Sequence, residues 1–114
     1  METLRQYKIS YTETAIQDLE EKADYISCQF QDPALALTWY TRLRDAIQRE
    51  LKTMPEKYPL YSVEPWRSQG VRLFTFRNDV ILYSVDEEHS FVYIRAVCTK
   101  GRDISAHLTE HENV

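Results

Sequence analysis

VRLFTFRNDVILYSVDEEHSFVYIRAVCTKGRD, residues Val71 to Asp103, is the stretch that decides the architecture of this chain. Three runs rich in β-branched and aromatic residues are broken by two polar turns, Arg77-Asn78-Asp79 and Asp86-Glu87-Glu88-His89. Such residues fit a pleated, half-buried surface, and short polar turns return each strand antiparallel to the last. The spacing predicts strands over Val71–Phe76, Val80–Val85 and Phe91–Cys98, a three-stranded meander. It closes on a small basic cluster, Lys100-Gly101-Arg102-Asp103.

Upstream, the period changes from two to about 3.6. Ile16, Leu19, Ala23, Ile26 and Phe30 step by three and four, and so do Ala36, Tyr40, Leu43, Ile47 and Leu51. Each set predicts an amphipathic helix with its apolar stripe toward a core. Thr12 or Thr14 can cap the first helix, and Thr14 with Gln17 has capping-box spacing. Glu20, Glu21, Lys22 and Asp24 read as its solvated face. Asp32-Pro33 supplies an N-cap and a first-turn proline for the second helix, and Pro55 ends it. So short a connection makes the helices an antiparallel hairpin.

Before the helices, Tyr7, Ile9 and Tyr11 alternate along a short first strand. Between helices and meander, Pro55, Pro59 and Pro65 are interleaved with Tyr58, Tyr61 and Trp66, a loop pinned by aromatic rings. Beyond Asp103 only Ile104 and Leu108 can anchor a short helix, and residues 109–114 are expected to be a disordered tail. The order β-α-α-β-β-β, with helices segregated from an antiparallel run, defines an α+β two-layer fold in one domain spanning residues 1–114.

Composition narrows function. Two glycines in 114 residues leave no Gly-rich phosphate loop. Cys28 and Cys98 have neither metal nor CxxC spacing and are expected to be buried, reduced thiols. No leader or long apolar run is seen, so a cytoplasmic protein without membrane partners is expected. A net charge of −4 opposes general nucleic-acid binding, although basic residues outnumber acidic ones locally from Arg67 to Arg102. His107 and His111 stand one helical turn apart, but nothing joins them in a ligand set. No metal and no cofactor are expected. The cations remain: Arg72 at the start of its strand, Arg95 in mid-strand between Tyr93 and Val97 on its own face, then Lys100 and Arg102, with Tyr83 a neighbour. Such a set either pairs with carboxylates on an open sheet face or meets the phosphate or acidic groups of a partner.

The element order, the segment YPLYSVEPWRSQGVRLF (residues 58–74), the strand VILYSVD (80–86) and the terminal GRDI (101–104) together resemble the RelE/ParE superfamily of bacterial type II toxins. The match runs from about Tyr7 to Leu108 and is closest to the ParE-like branch, the plasmid-stabilisation proteins. The resemblance implies a growth-inhibiting toxin encoded beside an antitoxin that wraps it, neutralises it and joins it in an oligomer. ParE-like members poison DNA gyrase. RelE-like members are ribosome-dependent mRNA endonucleases, and one fold serves both. A non-toxic binding partner is a third expectation. Arg72 and the Arg102-Asp103 pair match family positions. A nuclease would use Arg72, Lys100 and Arg102 on phosphate, with Tyr83 or His107 near the chemistry. A protein-binding toxin would present Arg72, Arg95, Arg102, Asp103 and Trp66 to its target or antitoxin. The nuclease branch's tail motif is not recognisable, which favours the gyrase reading.

Overall fold

The computed structural model describes residues 5–101, 104 and 106–108; Arg102, Asp103, His111 and the predicted tail at 109–114 lie outside the described residues. Strand β1 spans Lys8–Tyr11, helix α1 Glu13–Phe30, helix α2 Pro33–Leu51, β2 Arg72–Phe76, β3 Asp79–Asp86 and β4 Phe91–Thr99, with a short 3-10 turn at Pro55–Lys57. The order is the one read from the sequence. The meander β2-β3-β4 is antiparallel, and β1 joins it beside β4, parallel to it, giving the sheet order β1-β4-β3-β2. A parallel partner cannot be reached by a tight turn, so the helical hairpin intervenes between β1 and the meander.

Local chemistry fixes the helix ends. Thr12, not Thr14, caps α1: its hydroxyl oxygen accepts from the Ala15 N–H at 3.2 Å, while its own N–H donates to the Ile94 carbonyl at 3.0 Å. The chain leaving β1 is thereby hooked onto β4 before the helix begins, which leaves the capping box expected at Thr14 two residues too late. Gln31 closes α1 in the left-handed region, at φ 49°. Asp32 accepts from the Ala34 N–H at 3.0 Å and Pro33 opens α2, as expected.

The hairpin packs on one face of the sheet through Leu19, Leu43, Ile47 and Leu51, which meet Phe74, Ile81, Tyr83, Val92 and Ile94. A second core lies on the other face, where Trp66, Val71, Val80, Leu82, Ala96, Cys98 and Leu108 cluster. The proline-rich loop and the segment after β4 supply its cover. Burial on both faces explains why β3 is buried continuously from Asp79 to Tyr83 and does not alternate.

The stripe predicted for α2 is the buried one, but that of α1 is not. Ala15, Asp18 and Leu19 are buried, whereas Ile16 is 46% and Phe30 61% exposed. The helix is rolled about its axis so that Lys22, read as solvated, turns inward beside the sheet. Cys98 is buried as expected, but Cys28 is exposed. No described helix is long and apolar enough to cross a membrane.

Candidate functional site

Arg72 and Tyr83 are cross-strand partners in the β2–β3 register, and both point their polar ends at the turn after α2. Tyr83 is fully buried, and its hydroxyl donates to the Pro55 carbonyl at 2.5 Å. Arg72 Nη1 donates to the Glu56 carbonyl at 3.0 Å and to the Tyr58 carbonyl at 2.6 Å. Between them the two side chains satisfy three carbonyls of one turn. Such groups would otherwise be stranded next to a core. Burial pushes the Tyr83 hydroxyl well above its ordinary pKa, so it stays protonated and acts as a donor.

Tyr7 completes this corner. Its hydroxyl lies 3.1 Å from Glu56 Oε1 and 2.9 Å from Glu87 Oε2. One phenolic proton serves two carboxylate acceptors, so it satisfies them in turn. Burial first, then the hydrogen bonds to Glu87 and Glu56, push the Tyr7 pKa up to about 12. The Glu56 carboxyl is held below its usual range, chiefly by a hydrogen bond with Glu87, and further by Tyr7 and the Arg72 charge. Arg5 reaches the same corner through Glu87 at 3.2 Å and Ser90 Oγ at 2.9 Å.

The other predicted cations stand apart from it. The Lys100 N–H bonds the Asn78 carbonyl at 2.9 Å, which puts it at the far end of the sheet. Asn78 just precedes β3 and stands five residue steps from Tyr83, about 16 Å along the strand. Arg95 is the extra residue of a β-bulge: Leu82 pairs with Ala96 and Tyr83 with Ile94, leaving Arg95 between them. The bulge interrupts the alternation assumed from sequence. Val97 therefore joins the helix-facing core, while Tyr93 stacks on Phe91 at 5.7 Å, and the two do not flank Arg95 on one face.

His107 is also occupied. Its Nε2 lies 3.1 Å from the Asp18 carboxylate, which accepts the Val97 N–H at 2.9 Å. Beyond Ile94, β4 has no β1 partner, so the outward Val97 N–H needs an acceptor from α1, and the buried Asp18 provides it. Trp66 is 5% exposed in the second core and offers no surface; its indole N–H has no acceptor among the described residues.

Sequence reasoning missed Asp18, Lys22, Trp39 and Asp79. Buried Asp79, at the start of β3, accepts from Trp39 Nε1 at 2.8 Å and is ion-paired with Lys22, which also meets Thr99 Oγ1 at 3.0 Å. Both helices are thus stapled to one hairpin turn. The available signal was the spacing Ala15-Asp18-Leu19-Lys22, one helical face carrying two charges that only partners on the sheet could satisfy. Among the described residues, no group of three or more His, Cys, Asp or Glu side chains is placed to hold a metal ion.

This fold, a mixed four-stranded sheet with a helical hairpin on one face, is similar to that of chains in two solved toxin–antitoxin structures. A chain of the chromosomal ParDE TA system from P. aeruginosa superposes with a TM-score of 0.68 at 16% identity, over 83% of this chain and 97% of that one. A chain of the RelBE toxin–antitoxin complex from Mycobacterium tuberculosis gives a TM-score of 0.64 at 18% identity, over 90% and 100%. No curated protein sequence matches significantly. The family model described as the ParE toxin of the type II toxin–antitoxin system parDE matches residues 9–104. The chain belongs to that toxin family.

Proposed function

We propose that this chain is the toxin of a type II pair that acts in the cytoplasm by poisoning DNA gyrase, and that a cognate antitoxin binds and neutralises it. The observation that carries the gyrase reading is the ParE-branch family match over residues 9–104. The geometry supports it from the other side. Arg72 and Tyr83 are spent on holding the 55–58 turn, His107 is tied to Asp18, and Lys100 stands about 16 Å along the sheet from the Arg72 row. General acid–base work on RNA needs a proton acceptor and cations around one phosphate. These residues do not converge on one. An antitoxin partner is supported by the toxin–antitoxin complexes whose fold this chain shares.

Induced expression with and without the neighbouring small reading frame tests the reading, with growth, plasmid supercoiling and mRNA ends followed together. Growth arrest with altered supercoiling and intact mRNA, relieved by the neighbour, is the expected outcome. Codon-positioned mRNA cuts would establish the ribosomal nuclease instead, and unaffected growth the non-toxic binding partner.

A further inference from the structure

Asp18 is a buried carboxylate in the second turn of α1, 6% exposed, and it accepts the Val97 N–H at 2.9 Å. A carboxylate taken out of water is costly when neutral donors alone attend it. Lys22, one turn further along α1, is already ion-paired with Asp79. A second partner comes from the far end of the chain: the His107 imidazole, whose Nε2 lies 3.1 Å from the Asp18 carboxylate and whose side chain is 14% exposed.

His107 belongs to the segment that follows β4 and covers the second core. Its neighbour Leu108 is 4% exposed and clusters with Trp66, Val80, Leu82, Ala96 and Cys98, and Ile104 rests on the same cluster. The contact with Asp18 ties this cover to α1, which packs on the opposite face of the sheet. It passes round the margin of β4 left open where the pairing with β1 ends at Ile94. Glu21, Lys22 and Tyr25 of α1 line, with Asp18 and Thr99, a cleft of about 510 Å³ beside the pair. The sheet side contributes Asp79, Arg95, Cys98 and Lys100 as titratable or charged groups, and the proline-rich loop Tyr61. The chain on either side of His107 carries Arg102, Asp103, Glu110 and His111. Among the described residues, Asp18 is the carboxylate within ion-pair range of the His107 ring.

Histidine changes its charge between about pH 5 and 8. An imidazolium gives Asp18 a charge-assisted bond, whereas a neutral ring gives a weaker N–H···O bond or, in its other tautomer, a lone pair facing an oxygen. We propose that the His107–Asp18 contact is a pH-sensitive latch on the cover of the second core. With the ring protonated, the segment after β4 is held against α1; loss of that proton weakens the tie, and the segment opens more often. Docking favours the protonated ring, so the hold is complete on the acid side and is lost as pH rises. A proton that changes one contact and thereby biases a packed element is a switch of the usual histidine kind. Neither gyrase nor an antitoxin enters this inference.

The test follows the full chain by NMR across the range in which histidine titrates, about pH 5 to 8. The Val97 amide and the Leu108 amide and methyl signals are read beside the His107 ring, which the spectrum of His107→Gln identifies. Both residues should move in step with the ring. Hydrogen exchange at the Leu108 amide, corrected for the intrinsic effect of pH, should quicken by about fivefold from the acid to the alkaline end, the difference between a charged and a neutral hydrogen bond. In His107→Gln, which keeps a neutral hydrogen-bonding side chain, the step should vanish. In His89→Gln, at an exposed histidine of the β3–β4 turn, it should persist. Circular dichroism checks that the variants fold, and the wild-type titration decides the direction by itself. Val97 and Leu108 signals that stay fixed while the ring titrates would overturn the latch. So would an equal step in folded His107→Gln, or protection at Leu108 that grows as pH rises.

Discussion

Arg72 is the residue on which family pattern and geometry meet, and the geometry gives it a task within the fold. Its guanidinium and the Tyr83 hydroxyl hold the carbonyls of residues 55, 56 and 58. Replacing Arg72 by Ala strands the part-buried Tyr58 carbonyl and leaves that of Glu56 to water, and a hydrogen bond from a charged donor contributes about 2 kcal/mol. Tyr83→Phe loses a neutral one, about 1 kcal/mol. Urea unfolding of both variants should show that order of destabilisation. A loss of activity in Arg72→Ala is therefore meaningful only beside its stability. Tyr7 makes a separate prediction about pH. The hydroxyl's pKa rises from about 10 when unfolded to about 12 in place, so folding favours the protonated form. The stability it contributes is complete below pH about 10 and is lost as pH rises through about 12. Alkaline unfolding followed by fluorescence should be less steep over that window in Tyr7→Phe.

At the scale of elements, the hairpin is joined to the sheet by more than apolar packing. Asp79 gathers Trp39 from α2 and Lys22 from α1 at one end, and Asp18 closes the exposed margin of β4 at its middle. Removing one member of a buried ionic cluster leaves the others uncompensated, so Asp79→Ala should cost about 3 kcal/mol. Hydrogen exchange should locate that loss in the C-terminal half of α1 and the neighbouring part of α2, with the β3–β4 ladder least affected. Element order was legible because each signal was local: the alternation of Tyr7, Ile9 and Tyr11, the Asp32-Pro33 start, and the turn at Arg77-Asn78. The roll of α1 was not legible. Ile16 and Phe30 satisfy a helical stripe as well as Ala15 and Leu19 do, and only the sheet's charged partners decide which face turns inward. Arg95 was misplaced for a related reason, since a bulge shifts the alternation without a glycine to mark it. The corner formed by Tyr7, Glu56 and Glu87 joins positions about fifty and eighty residues apart in the chain, with no spacing rule to connect them.

At the scale of the whole molecule, function follows from what the fold leaves unspent. The cations nearest the sheet corner are bonded to the chain itself, and the net charge of −4 gives no general attraction to RNA or DNA. What remains available is a helical hairpin with a groove lined by Ile16, Ala23 and Tyr40, where the Arg44 guanidinium lies 4.8 Å from the Tyr11 ring centroid. Such a surface suits recognition of proteins. An antitoxin and the gyrase proposed here as the target are both proteins, which is consistent with the match to the ParE toxin family. The most direct measurement is supercoiling of relaxed plasmid by purified gyrase with this chain in excess, scored for cleaved DNA trapped on the enzyme. Inhibition with accumulation of cleavage complexes, reversed by the antitoxin, is the predicted result; unimpaired supercoiling and no trapped cleavage, with the chain folded and in excess, would contradict the account.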